Sequence, residues 1–392
     1  MKIKPGNSFS SRHLRGYSLI ELMVAIVIGL VLVLAALKVT ASFEGHKRTT
    51  TATNDALQSG NFGLYRLDGL LRSSGTGLVQ TNSYGCALNY KPTGHAIISD
   101  GVVGLAAPFA AVTKLRLVPA VIYPTAAAGG SDVLLMMLGA AGYGETPAPI
   151  TKILSGTQAQ VTSGVGFSPS EWVLFGGSVA ECMITQIDPS YLSQNNTNIV
   201  LPVNPGSVGL ATLSMYSSGS VAGLGMGTTP SFMVYGVADP SDTANYGTMY
   251  SVDLLNSDLS VQKVSDDIIT LRAVYGVDPA STGTLTWTTA KAAVVIGGTT
   301  YDYSPAGLLA GNATANTALR SIKAIRVAIV VRAPLSEQAA FSSANPSFSL
   351  FSVLQTPSVA VNWTVPAGQT NYRYRALEST IPLRNASVTT TP

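Results

Sequence analysis

Between Leu22 and Leu37 the chain runs for sixteen residues that are all apolar or small, and Glu21 stands immediately before them. Counted from Tyr17, the segment is 21 residues. At ~1.5 Å per residue that is about 31 Å of helix, enough to cross a hydrocarbon core of ~30 Å. Being apolar all round, it needs lipid or other helices about it. A carboxylate at that depth costs on the order of 2–3 kcal/mol, so Glu21 requires a partner. The alternative is an interfacial side chain reaching back to water. Lys38 ends the run; Lys2, Lys4, Arg12 and Arg15 precede it, and Lys38, Lys47 and Arg48 follow. The denser amino-terminal cluster favours leader in and the remainder out, by a narrow margin. A cleavable signal peptide is the competing reading, with Val39-Thr40-Ala41 as its cleavage site, but such a peptide gains nothing from Glu21.

Gly16-Tyr17-Ser18-Leu19-Ile20-Glu21 resembles the type IV prepilin signature: a basic leader ending in glycine, an aromatic residue, three residues, a glutamate and an apolar helix. Phenylalanine is the usual aromatic residue there, and Tyr17 departs from it. The resemblance implies that a prepilin peptidase cuts between Gly16 and Tyr17 and that the new amino terminus on Tyr17 is N-methylated. It also implies a task for Glu21, one helical turn from the freed amine. Its carboxylate would pair with the amino terminus of a neighbouring subunit, offsetting the burial of both charges and setting the axial register.

Composition narrows the rest. Charged residues make up 11% of the 392, while Gly, Ser and Thr are abundant, as suits an envelope or secreted β-rich protein. The formal charge of +3 is dominated by the leader. Cleavage at Gly16 removes four of 23 basic residues and no acidic one, leaving 19 against 20, a net of −1. Bulk nucleic-acid binding loses its electrostatic basis. The two cysteines, Cys86 and Cys182, read as one disulfide in an oxidising compartment, or as two unpaired buried thiols if the domain faces the cytosol. A bridge would close a loop of nearly a hundred residues, for roughly 4–5 kcal/mol on chain entropy.

Beyond Lys38 the helix is expected to continue to Arg72, about 84 Å in all if unbroken. Leu57, Leu64, Leu67 and Leu71 would line one face. Gly60, Gly63 and Gly69 each cost roughly 1 kcal/mol against alanine, implying a kink or tight packing, and "SSGTG" (Ser73–Gly77) supplies the stop. The expected organisation is a leader at 1–16, a transmembrane assembly helix at 17–38, its exposed half at 39–73 and a β-rich domain at 74–392. The Gly/Ser-rich stretch Gly206–Gly227 either divides two β-lobes or forms one long loop. Expected strands are Val112–Val118, Asp132–Leu138, Glu171–Gly176, Val179–Ile187, Ser231–Val237, Thr248–Leu255 and Ile322–Ala333. In the last, Ile325, Val327, Ile329 and Val331 share a face, the pattern of a half-buried strand. "YRYR" (Tyr372–Arg375) would put its tyrosines on one side and its arginines on the other. "SVTTTP" at the end reads as a frayed tail.

Further segments resemble PilW-like minor pilins in order: "LYRLDGLLRSSGTG" (Leu64–Gly77), "YGC" (Tyr84–Cys86), "DDIITLRAVYGVD" (Asp266–Asp278), "IKAIRVAIVVRA" (Ile322–Ala333) and "YRYRALESTIPLRN" (Tyr372–Asn385). The implied fold class is α+β: a long amino-terminal membrane-spanning helix packed on a large antiparallel β-rich globular domain. The implied role is a minor pilin in an assembly-initiating or tip complex. Its partners would be prepilin peptidase, other minor pilins, the major pilin and a large tip adhesin. It would sit in the bacterial inner membrane with its domain in the periplasm, then in the pilus at the cell surface. Minor pseudopilins of type II secretion are related and form the alternative, as does a tip-located pilin for adhesion or DNA uptake. The "IPLRN" ending favours the pilus branch.

Chemistry is sparse. Of three histidines, His13 lies in the leader, His46 just past the membrane helix and His95 in the globular part. No HExxH, CxxC, GxSxG or GxxxxGK[ST] spacing occurs, so no enzyme, cofactor or metal site is expected. "GLGMG" (Gly223–Gly227) lacks the last glycine of a dinucleotide loop, Thr228 standing in its place, and reads as a glycine turn. "DPSDTANYG", with Asp239 and Asp242, lacks the alternating ligands of a calcium loop, and Asp266-Asp267 adds none. Arg373, Arg375 and Arg384 could meet an acidic partner or lie as paired cations over a sheet. The acceptor patterns at Asn312, Asn362 and Asn385 read as incidental.

Overall fold

The computed structural model describes residues 18–78, 85–90, 104–125, 129–139, 147–177, 181–192, 199–203, 213–227, 230–238, 246–255, 259–291, 293–337, 346–354 and 359–385. The chain divides into two compact units, Met1–Ala52 and Thr53–Pro392. Helix α1 (Leu19–Ser73) contributes its first part to one and its last part to the other.

In the second unit the strands are β1 (Ala87–Tyr90), β2 (Ala120–Tyr123), β3 (Val133–Leu138), β4 (Ala148–Ser155), β5 (Gln158–Val161), β6 (Trp172–Gly176) and β7 (Glu181–Gln186). There follow β8 (Ile199–Pro202), β9 (Ser220–Gly225), β10 (Ser231–Val237), β11 (Thr248–Asp253), β12 (Gln262–Asp266), β13 (Ile268–Val277) and β14 (Thr286–Thr289). After β15 (Ala293–Ile296) and β16 (Thr299–Asp302) come two short helices, α2 (Pro305–Leu308) and α3 (Ala313–Ser321). The last strands are β17 (Ile322–Arg332), β18 (Ser347–Leu350), β19 (Val361–Thr364) and β20 (Tyr374–Pro382).

They form a seven-stranded sheet (β1-β7-β6-β9-β4-β5-β8), a five-stranded sheet (β12-β11-β10-β3-β2), a four-stranded sheet (β14-β13-β17-β20) and two hairpins, β15-β16 and β18-β19. Among the described pairings only β1 with β7 is parallel. The fold is therefore a long amino-terminal apolar helix followed by a large antiparallel-rich sheet domain.

The main core gathers Leu67 and Leu71 of α1 with side chains from β3, β10, β11, β13 and β17. A second core, built on Phe175, Met183, Tyr216 and Val221, belongs to the seven-stranded sheet. A third lies on the opposite face of the four-stranded sheet, where Trp363 and Phe351 cover Val274, Ala328 and Val330. That cover corrects the half-buried reading of Ile322–Ala333. Ile325, Val327, Ile329 and Val331 do face the main core, but the alternate residues Ala328 and Val330 are buried too. The hairpin β18-β19 shields them.

Two further expectations change. Val112–Val118 is no regular strand: Leu115 and Leu117 turn inward as the alternation suggests, and the segment runs along β1 through the bridge of Ala87 with Arg116 and three backbone bonds, Gly85 N–H to Leu117 O, Leu117 N–H to Cys86 O and Leu88 N–H to Leu115 O. The other edge of β1 is already taken by β7. Gly206–Gly227 is not a single loop where it is described. Leu213–Tyr216 forms a buried 3-10 turn, and β9 lies between β6 and β4 inside the seven-stranded sheet. In "YRYR" only Tyr374 and Arg375 enter β20.

Candidate assembly site

In the first unit, α1 opens with Leu22 N–H donating to Ser18 O at 3.1 Å, which places Glu21 in the first turn. A carboxylate there is favoured by the partial positive charge of the unpaired amide groups. From Leu19 to Leu37 every large apolar side chain is exposed; Leu19 is 77% accessible. The helix turns its polar groups inward on itself: Thr40 Oγ1 donates to Ala36 O at 2.9 Å and Thr49 Oγ1 to Gly45 O at 3.0 Å. A continuous apolar surface with its hydroxyls satisfied internally suits membrane anchoring and packing against other apolar helices. Gly16, Tyr17 and the basic leader lie outside the described residues.

In the second unit the helix packs on the sheets through a line that leucine counting caught only in part. Ala56, Gly60, Gly63, Leu67 and Leu71 are buried, while Leu57 and Leu64 are half-buried beside them. A Cβ on Gly60 would lie 2.6 Å from Val331 Cγ1 and 2.8 Å from Leu377 Cδ1; one on Gly63 would lie 2.7 Å from Ile268 Cδ1. Small residues thus let the backbone approach β17, β20 and β13 closely. Gly69 meets nothing within 4 Å. Opposite effects follow for two glycines of one helix. Gly60→Leu is expected to cost about 1–3 kcal/mol by overpacking, whereas Gly69→Ala gains up to about 1 kcal/mol of helix propensity. Thermal unfolding of the detergent-solubilised protein checks both, and shifts of the same sign contradict this packing.

The helix ends on a clamp. Gly75 and Gly77 take φ of 80° and 71°, and Gly75 N–H donates to Met137 O at 2.8 Å. Asn385 Nδ2 then donates to Ser73 O at 3.3 Å, Ser74 O at 3.0 Å and Thr76 Oγ1 at 2.8 Å. The asparagine of "IPLRN" therefore caps α1 from 312 residues away. Asn385→Asp places a carboxylate against these carbonyl oxygens and the negative helix end, so it should destabilise more than Asn385→Ala, by about 1–3 kcal/mol against wild type. Chemical denaturation reads this; an Asp variant no weaker than Ala removes the cap.

Cys86 and Cys182 form a disulfide with a Cα–Cα distance of 5.7 Å, tying the chain just before β1 to β7 inside the main core. A second tie escaped sequence reading. Asp132 Oδ1 accepts from Arg272 Nη1 at 3.1 Å and from Thr125 N–H at 2.9 Å, while Oδ2 accepts from Ala273 N–H at 3.0 Å. Burial pushes the Asp132 carboxyl upward, against the pull of Arg272 and the two backbone donors. This pair locks β3 to β13. Its signal was present: Arg272 stands inside the otherwise apolar run "IITLRAVYGV", where a cation must have a partner.

Several of the remaining candidates have structural partners, while two arginines stay exposed. Asp266 pairs with Lys263 at 2.7 Å, Arg373 with Glu337, and Arg375 and Arg384 are exposed. The first glycines of "GLGMG" belong to β9, opposite Val173 and Trp172, so the turn begins only after Gly225. Asn312 caps α3 by accepting from Ala315 N–H at 2.8 Å. His95, Asp239 and Asp242 lie outside the described residues.

An apolar helix with a carboxylate in its first turn, followed by a β-rich domain, defines a protein built for membrane anchoring through its amino-terminal helix. The comparisons make that class more particular. Residues 11–37 match the family model described as prokaryotic N-terminal methylation motif, and residues 234–385 match that described as type IV pilus-assembly protein W. Together these matches support a type IV pilus minor pilin with a role in pilus assembly. The prepilin leader implies processing by prepilin peptidase and assembly with other pilins. No curated protein matches the chain. Among solved structures, a type IV-like pilin from Thermus thermophilus aligns at 10% identity over 69% of this chain and 84% of its own, with a TM-score of 0.27. A likeness at that score carries no argument.

Proposed function

We propose that this protein is cut between Gly16 and Tyr17, methylated on Tyr17, and inserted with its β-domain on the periplasmic side. It then joins other minor pilins in the complex that initiates the pilus and remains at its tip. Helix packing supplies the attraction, because the exposed apolar run finds partners of its own kind. Glu21 supplies the register: its carboxylate, buried in the bundle, pairs with the amine of a neighbour's Tyr17. The β-domain, held to the end of the helix by the Asn385 clamp and the glycine contacts, makes the lateral contacts.

The observation that carries this reading is the presence in one chain of the methylation motif, with Glu21 heading the exposed apolar part of α1, and the pilus-assembly match over the carboxy-terminal part of the domain. Deletion of the gene tests it. Loss of surface pili, restored by the wild-type chain, is the expected result. Normal piliation with lost attachment would make it an adhesive subunit instead, and intact pili with failed protein secretion would make it a pseudopilin.

A further inference from the structure

A groove of about 630 Å³ opens between the segment 111–116, the end of β2 and helix α2. Its size is in the range of ligand sites, and its lining includes two cations, Lys114 and Arg116, but no acidic residue. Spaced two apart on an extended backbone, they share one side while Leu115 and Leu117 fill the core. Arg116 is held in place: Nε donates to Leu309 O at 2.7 Å and Nη1 to Gly85 O at 2.8 Å. Its guanidinium lies against Gly311, where φ is 75° and a Cβ would come within 2.5 Å of Cζ. Both bonds go to neutral carbonyls. None of the ion pairs among the described residues involves Arg116 or Lys114. Tyr123, whose hydroxyl donates to Lys114 O at 2.8 Å, fixes the backbone of the second cation.

We propose that this groove is a docking site for an extended peptide segment of a partner protein bearing a carboxylate, as an aspartate or glutamate side chain. The carboxylate sits on the fixed guanidinium with Lys114 beside it, and the flanking peptide lies along Pro124, Pro305 and Leu309. Charge complementarity selects an acidic ligand. The apolar share of the lining, six of eleven residues, selects a peptide over a nucleic acid, whose phosphates need a longer row of cations than two.

The test uses the full chain in detergent micelles and two labelled probes, N-acetyl-Ala-Pro-Asp-Ala-amide and its Asn counterpart, with binding read by fluorescence anisotropy. The Asp probe should bind saturably and at least about tenfold more tightly than the Asn probe. Lys114→Glu, at an exposed side chain, should weaken the Asp probe by at least about tenfold at unchanged melting temperature, and Ala306→Trp should block both probes by filling the groove. Equal binding of the two probes, no saturable binding, or indifference to Lys114→Glu overturns the proposal. Displacement of the Asp probe by equimolar inorganic phosphate overturns it as well, in favour of a phosphate-bearing partner.

Discussion

Replacing Glu21 by valine is expected to abolish the chain's incorporation into pili while leaving its membrane insertion intact. The substitution lengthens the apolar run and removes its one anion, so insertion is favoured. On the proposed pairing, it leaves a neighbour's amine buried without a counter-charge. Removing one partner of a buried pair costs about 3–5 kcal/mol, a factor of roughly 150 to 5,000 in docking. Glu21→Gln, which keeps size and polarity, should fail nearly as badly, because it cannot neutralise the amine. Quantitative immunoblotting of sheared fibres from cells with no other copy measures the effect. Fibres of normal number, carrying the variant at normal occupancy, would show that apolar packing alone directs assembly.

The second large effect concerns the disulfide. Cys86 and Cys182 are 96 residues apart, and on chain entropy their bridge stabilises the domain by up to about 4.7 kcal/mol. Local structure makes little provision for its loss. β1 is four residues long and pairs in parallel with β7, opposite Cys182 at Leu88, and the segment beside it adds one bridge and three backbone hydrogen bonds. Cys86→Ala combined with Cys182→Ala should therefore lower the denaturation midpoint sharply, with β1 and the 111–118 segment opening first. Hydrogen exchange would locate that opening. A loss below about 1 kcal/mol would mean that packing of the core around Leu88 and Leu115 suffices.

How far this molecule could be read from its residues varies along the chain. The amino-terminal segment was open to reading because lipid imposes a simple requirement, an unbroken apolar run, and Glu21 violates it at one place. Strands such as Ser231–Val237 were open because β-branched and aromatic residues cluster between turn signals. The helix seat was harder. Counting leucines found the buried Leu67 and Leu71 but also the half-buried Leu57 and Leu64, whereas the centre of the contact is Ala56, Gly60 and Gly63, where close approach needs the absence of side chains. A hydrophobic pattern cannot register that. Alternation in Val112–Val118 correctly marked Leu115 and Leu117 as buried but says nothing of whether a neighbouring strand is free to pair. The buried faces of β17 and the lock between Asp132 and Arg272 depend on segments 140 and more residues apart or folded back later in the chain. Only the tertiary arrangement brings them together.

The central claim is that the helix is freed at Tyr17 and built into a fibre by its amino-terminal end. Intact-mass analysis of the chain recovered from membranes and from sheared fibres tests it most directly. A single species beginning at N-methylated Tyr17 in both fractions is the predicted result. A chain beginning at Ser42 and found only in the soluble fraction would contradict it.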